Sequence, residues 1–112
     1  MRTLMAIDNG ELTTKIGFQG LLAKLREGLP LTEQEEINLR LRMDRQLRYF
    51  ENLHYHWQLG VLDEEIWQAN LAGISGMHRS PGFTYLHSEW PDGFGASIFR
   101  RSFVELVVSF RE

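Results

Sequence analysis

Glu51 and His54 stand three residues apart, the spacing that sets a carboxylate and an imidazole on successive helical turns in di-metal bundles. A complete site of that kind needs a second Glu-x-x-His and two further glutamates. The chain has no second copy, because neither His78 nor His87 has a glutamate three residues before it. Advancing about 100° per residue puts His54 at the edge of an apolar stripe and Glu51 about 60° toward solvent. The residues therefore predict a core-edge histidine hydrogen-bonded to a neighbour, with Glu51 and His54 as the metal-ligand candidates. His54 and His56 diverge by about 200° on a helix, so one ion cannot take both, and His56 is expected at the surface. His78 and His87 could meet Glu89 or Asp92 around an ion, but no ligand spacing is recognisable. Neither a metal nor a cofactor is expected.

Arg40, Arg42, Arg45 and Arg48 form a basic cluster that could bind phosphate groups along a helix face. Asp44, Glu51 and the acidic opening Glu33, Glu35 and Glu36 lie on the same helix, within reach of arginines one turn away. The turn at Gly60 leads into Asp63, Glu64 and Glu65, which would repel a nucleic acid. An internally paired, solvated face is the stronger reading, and no nucleic-acid partner is expected. The glycine-bearing loops 73–82 and 91–95 lack phosphate-loop spacing, and no serine sits in a nucleophile elbow. Trp57, Trp67 and Trp90 read as core rather than as a ligand box. No catalytic residue is assigned, and the chain is not expected to be an enzyme.

The elements that would position these residues are helical throughout. Gly28 and Gly60 each suit a left-handed C-terminal cap and are followed within a few residues by an N-capping side chain. Thr32 with Glu35 forms a capping box, and Asp63 caps the next helix with Leu62 and Trp67 at staple spacing. The expected helices cover residues 11–27, 32–59, 63–75, 80–89, opened by Ser80-Pro81, and 96–110, after an N-terminal segment 1–10. Turns this short predict antiparallel neighbours, so the fold class is an all-α antiparallel bundle of four to five helices around one long central helix.

On the long helix, Leu39, Met43, Leu47, Phe50, Leu53 and Trp57 fall in one stripe, the expected core face. A thinner second stripe holds Ile37, Leu41, Tyr55 and Leu59, interrupted by Asp44 and Arg48. A helix buried on one side only would not carry it, so either helix one covers part of that flank or another protein does. In the last helix Phe99, Phe103, Leu106, Val107 and Phe110 share one narrow face.

At 112 residues with 43% hydrophobic and 12% aromatic content, the chain is globular in composition and of single-domain size. A net charge of -3 points to no polyanionic partner. The absence of cysteine removes disulfides, thiolate metal sites and cysteine nucleophiles. No apolar run approaches the roughly 20 residues that span a bilayer, and the apolar stretch in MRTLMAIDNGE is too short for a signal peptide.

The run from Tyr49 to Gln68, followed by SPGFTYL, Trp90 and the Arg101-x-Phe103 pair, resembles a family of small uncharacterised bacterial all-helical proteins, a domain of unknown function. The resemblance rests on Glu51-Asn52, the Gly60-x-Leu62-Asp63 turn, Trp67, and Trp90 ahead of a phenylalanine-rich C-terminal helix. It covers about Leu31 to Phe110. It implies a helical fold without an assigned activity, and in many members a membrane helix ahead of the domain. Nothing upstream of Thr32 here could span, so the chain as given is expected to be cytoplasmic or the soluble part of a membrane-anchored protein.

Together these features predict a non-catalytic protein–protein interaction module, self-associating as a homo-oligomer through Ile37, Leu41, Tyr55 and Leu59. The alternatives are a metal or small-ligand binding bundle at Glu51 and His54, an oxidoreductase if the metal is redox-active, and nucleic-acid binding through the four arginines.

Overall fold

A computed structural model describes residues 17–93 and 95–111. Among them the chain is all-α, with five α-helices and no strand. Residues 17–27 lie in α1, followed by α2 (Glu33–Gln58), α3 (Glu64–His78), α4 (Pro81–His87) and α5 (Arg101–Val108), with short 3₁₀ turns at Ala96–Ile98 and Ser109–Arg111. The expected segment 1–10 and the start of the first helix at Glu11 lie outside the described residues. No helix among the described residues is long and apolar enough to cross a membrane.

The fold divides into two compact units, one ending at Leu39 and one beginning at Arg40. In the first, Gly28 at φ 72° closes α1. Its N–H donates to the Leu25 carbonyl at 3.3 Å and that of Leu29 to Lys24 at 2.8 Å, the paired bonds of a Schellman cap. The capping box then opens α2 in both directions. Glu35 N–H donates to Thr32 Oγ1 at 3.1 Å, and Thr32 N–H to Glu35 Oε1 at 2.8 Å. Lys24 adds an ion pair to the same carboxylate at 2.8 Å, and that bond, with the Thr32 amide, holds Glu35 below the usual carboxylate range. Among the described residues of this unit, Leu21 and Leu39 are the buried apolar ones.

In the second unit the same cap recurs. Gly60 at φ 77° donates to the Trp57 carbonyl at 3.0 Å, and Val61 to that of His56 at 3.1 Å. Asp63 Oδ1 accepts from Glu65 and Ile66 at 2.9 and 3.3 Å, so α3 starts where the sequence predicts, while Leu62 packs against the core. Ser80 caps α4 through Phe83 N–H at 3.3 Å, with Pro81 in the first turn. Each stop and start is encoded within a few residues, which is why these boundaries can be read locally.

The core of the second unit gathers Met43, Leu47 and Phe50 of α2, Trp67, Ile74 and Met77 of α3, Phe83 of α4, and Phe103, Val104 and Val107 of α5. Leu53 and Trp57 are half-buried at its margin, Trp57 stacked on Trp67 at 5.4 Å. Trp90 is completely buried, its ring 4.9 Å from His87, 5.5 Å from Phe83 and 5.6 Å from Phe99. Gly73 lets α3 approach α2, since a Cβ there would lie 3.2 Å from the Phe50 ring. Arg111 ties the C-terminal turn down by donating to the carbonyls of Trp90 at 2.7 Å and Ser88 at 3.3 Å.

α3, expected to end at residue 75, runs to His78, and α4, expected to reach residue 89, ends at His87; the largest difference lies nearer the C-terminus. The helix expected over 96–110 is broken at Phe99 and Arg100, whose ψ angles of 158° and 138° are extended. A continuous helix would join Arg100 N–H to the Ala96 carbonyl and Ser102 N–H to the Ile98 carbonyl. Instead Glu51 of α2 takes the Arg100 N–H at 2.6 Å, and Arg48 donates to the Ile98 carbonyl at 3.1 Å. Two side chains on α2 thus claim the backbone groups that helical continuity would use, and the true helix begins one residue later.

Candidate functional site

The geometry around Glu51 and His54 is structural in kind. Glu51 accepts from the Arg100 amide and from Arg48 Nη1 at 3.1 Å, and its side chain keeps only 12% of its exposure. The Arg48 guanidinium also lies 4.4 Å over the Phe99 ring, and that of Arg100 lies 4.1 Å over Tyr55. Arg48 and Glu51 therefore clasp the 96–100 stretch against one flank of α2. The interruption of the second apolar stripe by Arg48 has its explanation here, since that part of the flank receives polar backbone rather than apolar side chains.

His54 is 8% exposed and lies between Trp67 at 5.6 Å and Phe103 at 6.2 Å. Its described contacts are ring contacts rather than the hydrogen bond expected from its place at the stripe edge. Burial, and secondarily the Arg100 charge, push it below the ordinary imidazole value, which favours the neutral ring. His56 is half-buried beside Tyr55. His78 packs on Phe83 at 5.1 Å with a buried Nδ1 that has no hydrogen-bond partner among the described residues. Burial, then Arg111 and Arg79, lower it too. His87 packs between Phe83 and Trp90. Among the described residues no group of three or more histidine, aspartate or glutamate side chains converges as a metal site would require.

In the arginine cluster Arg42, Arg45 and Arg48 are exposed and Arg40 is half-buried, and Arg48 also takes part in the clasp. A shallow cleft of about 380 Å³ lies beside Pro91, Asp92, Ser97, Phe99 and Arg101. Its ionisable residues Asp92 and Arg101 are exposed, and Arg101 pairs with Glu105 at 3.4 Å. Nothing there buries a nucleophile beside a base.

The residues expected to form an interaction surface separate into covered and open positions. Tyr55 is half-buried beneath Arg100, so the chain itself covers it. Ile37, in the first unit, is 44% exposed. In the second unit Leu41 is 57% and Leu59 56% exposed. Two exposed apolar residues that the helical stripe did not include follow Leu59 in the chain: Val61, 70% exposed, in the turn between α2 and α3, and Ile66, 50% exposed, in the first turn of α3. Their signal in the sequence is apolar character inside a turn and beside Glu64 and Glu65, where solvent-facing chemistry alone would place polar residues.

Compared with models of protein families, with curated proteins and with solved structures, the chain matches none of them.

Proposed function

We propose that this chain is a helical protein–protein interaction module that self-associates and performs no catalysis. The observation that carries the reading is the pair Leu41 and Leu59, both more than half exposed and 18 residues apart on or at the end of α2. Eighteen residues are five full turns, so the two leucines lie on one flank, about 27 Å apart. Val61 and Ile66, which follow Leu59 within seven residues of the chain, are exposed apolar residues as well. The titratable groups with catalytic potential point the same way. Glu51 and Arg48 are engaged in holding the 96–100 stretch, and His54 is enclosed by aromatic rings.

Light scattering after size exclusion tests this. Mass rising above that of one chain with concentration is expected, and Leu59→Glu should return it to the monomer value with the helical circular dichroism unchanged. A strict monomer at the highest attainable concentration overturns the proposal.

A further inference from the structure

Two arginines fasten the C-terminal segment 100–111, and the charge of each reaches a histidine in an apolar setting. At one end the Arg100 guanidinium lies 4.1 Å over Tyr55, and Glu51 holds the Arg100 amide. That charge acts on His54, the residue before Tyr55 on α2, which is enclosed by Trp67 of α3 and Phe103 of α5. At the other end Arg111 donates to the carbonyls of Trp90 and Ser88. Its charge acts on His78 at the end of α3, which packs on Phe83 and has a buried Nδ1 with no hydrogen-bond partner among the described residues. We infer that residues 100–111 form a strap that acid releases: once His54 and His78 are protonated, each sets a second cation against the arginine that fastens one end, and the segment lifts while α2, α3 and α4 stay folded.

The charges that act on the two histidines are those of arginines: Arg100 on His54, and Arg111 with Arg79 of its own helix on His78. Glu51, one turn before His54 on α2, is engaged by the Arg100 amide and by Arg48. From α4 His78 meets the Phe83 ring, which His87 also touches. At neutral pH the complete burial of Phe103 and Val107 keeps the strap down. Burial first, and the arginine charges second, hold both histidines below their ordinary value of 6.5 in that state, and lifting relieves both causes. Lifting is therefore unaffected well above 6.5 and favoured below it, by up to about tenfold per pH unit for each histidine freed. The other helices keep contacts that do not pass through the strap: Gly73 against Phe50, Trp57 on Trp67, and His78 on Phe83. The strap works within one chain and does not depend on self-association.

Amide hydrogen exchange of the wild-type chain at about pH 7.5 and about pH 5, corrected for intrinsic rates, tests the strap. Protection of α5 should fall at least about tenfold between the two, and at the lower pH α5 should exchange at least about tenfold faster than the buried stretches of α2 and α3. Equal protection of all three helices in acid would mean that the protein opens as a whole. Unchanged protection of α5 would mean that acid does not release it. Either result overturns the strap. The histidine ring resonances, followed by NMR across the same pH range, give a second measurement. Both His54 and His78 should titrate below 6.5 in the wild type. The side chains of Arg100 and Arg111 are exposed, so their substitution leaves the core in place. Arg100→Gln should raise the midpoint of His54 alone, and Arg111→Gln that of His78 alone. Either histidine titrating at or above 6.5 in the wild type, or midpoints that these substitutions leave unmoved, overturns the pairing of arginine with histidine.

Discussion

Replacing Glu51 by alanine tests the clasp that decides where α5 begins. The carboxylate accepts a backbone hydrogen bond from Arg100 at 2.6 Å and an ion pair from Arg48 at 3.1 Å. A hydrogen bond to a charged group contributes about 1.5–3 kcal/mol. The ion pair involves a half-exposed arginine and contributes about 0.2–1 kcal/mol. Alanine is a slightly better helix former than glutamate, which offsets a few tenths of a kcal/mol. The net expectation is a loss of about 2–3 kcal/mol. For a domain of this size that lowers the melting temperature by about 10–20 °C. Glu51→Gln keeps a neutral acceptor for the amide and should recover about half. Chemical denaturation gives the free energies, and hydrogen exchange at the Arg100 amide gives the local readout, with protection lost in Glu51→Ala. A loss of less than about 0.5 kcal/mol, with Arg100 still protected, would refute the argument that α2 side chains hold the break open.

Burial lowers His54, with the Arg100 charge adding to it, and lowers His78 with Arg111 and Arg79. The unfolded chain therefore takes up protons at these histidines before the folded chain does. Stability is undiminished above the ordinary value of 6.5 and falls as pH drops below it. Urea midpoints at about pH 8 and about pH 5 should show that fall, and His54→Phe should reduce it; identical pH profiles for wild type and variant would contradict the assignment. Among the glycines, Gly76 has open space around its Cβ position and Gly60 sits at φ 77°. Gly76→Ala is expected to stabilise by about 0.5–1 kcal/mol and Gly60→Ala to destabilise by about 1–2 kcal/mol, read from the same urea curves.

The boundaries that rest on short-range chemistry are legible in the residues themselves. Gly28 and Gly60 end their helices through bonds that span five residues, and Thr32, Asp63 and Ser80 start theirs through bonds that span two or three. Periodicity on α2 likewise separates Leu39, Met43, Leu47 and Phe50, which are buried, from Leu41 and Leu59, which are not. The continuation of α5 is different. Its apolar spacing is helical from Phe99 onward, and nothing local marks a break at Phe99 and Arg100. The break exists because Arg48 and Glu51, about 50 residues earlier in the chain, reach the backbone of 98–100. The same long-range contact decides which part of the second stripe is covered, placing Arg100 over Tyr55 while Leu41 and Leu59 stay open. Sequence alone determined the capped helix boundaries and the face that α2 buries, because caps and periodicity act within a turn or two. Tertiary structure decided how Glu51 and His54 are used and which apolar residues remain exposed, because those outcomes depend on competition between distant groups for the same backbone atoms and the same surface.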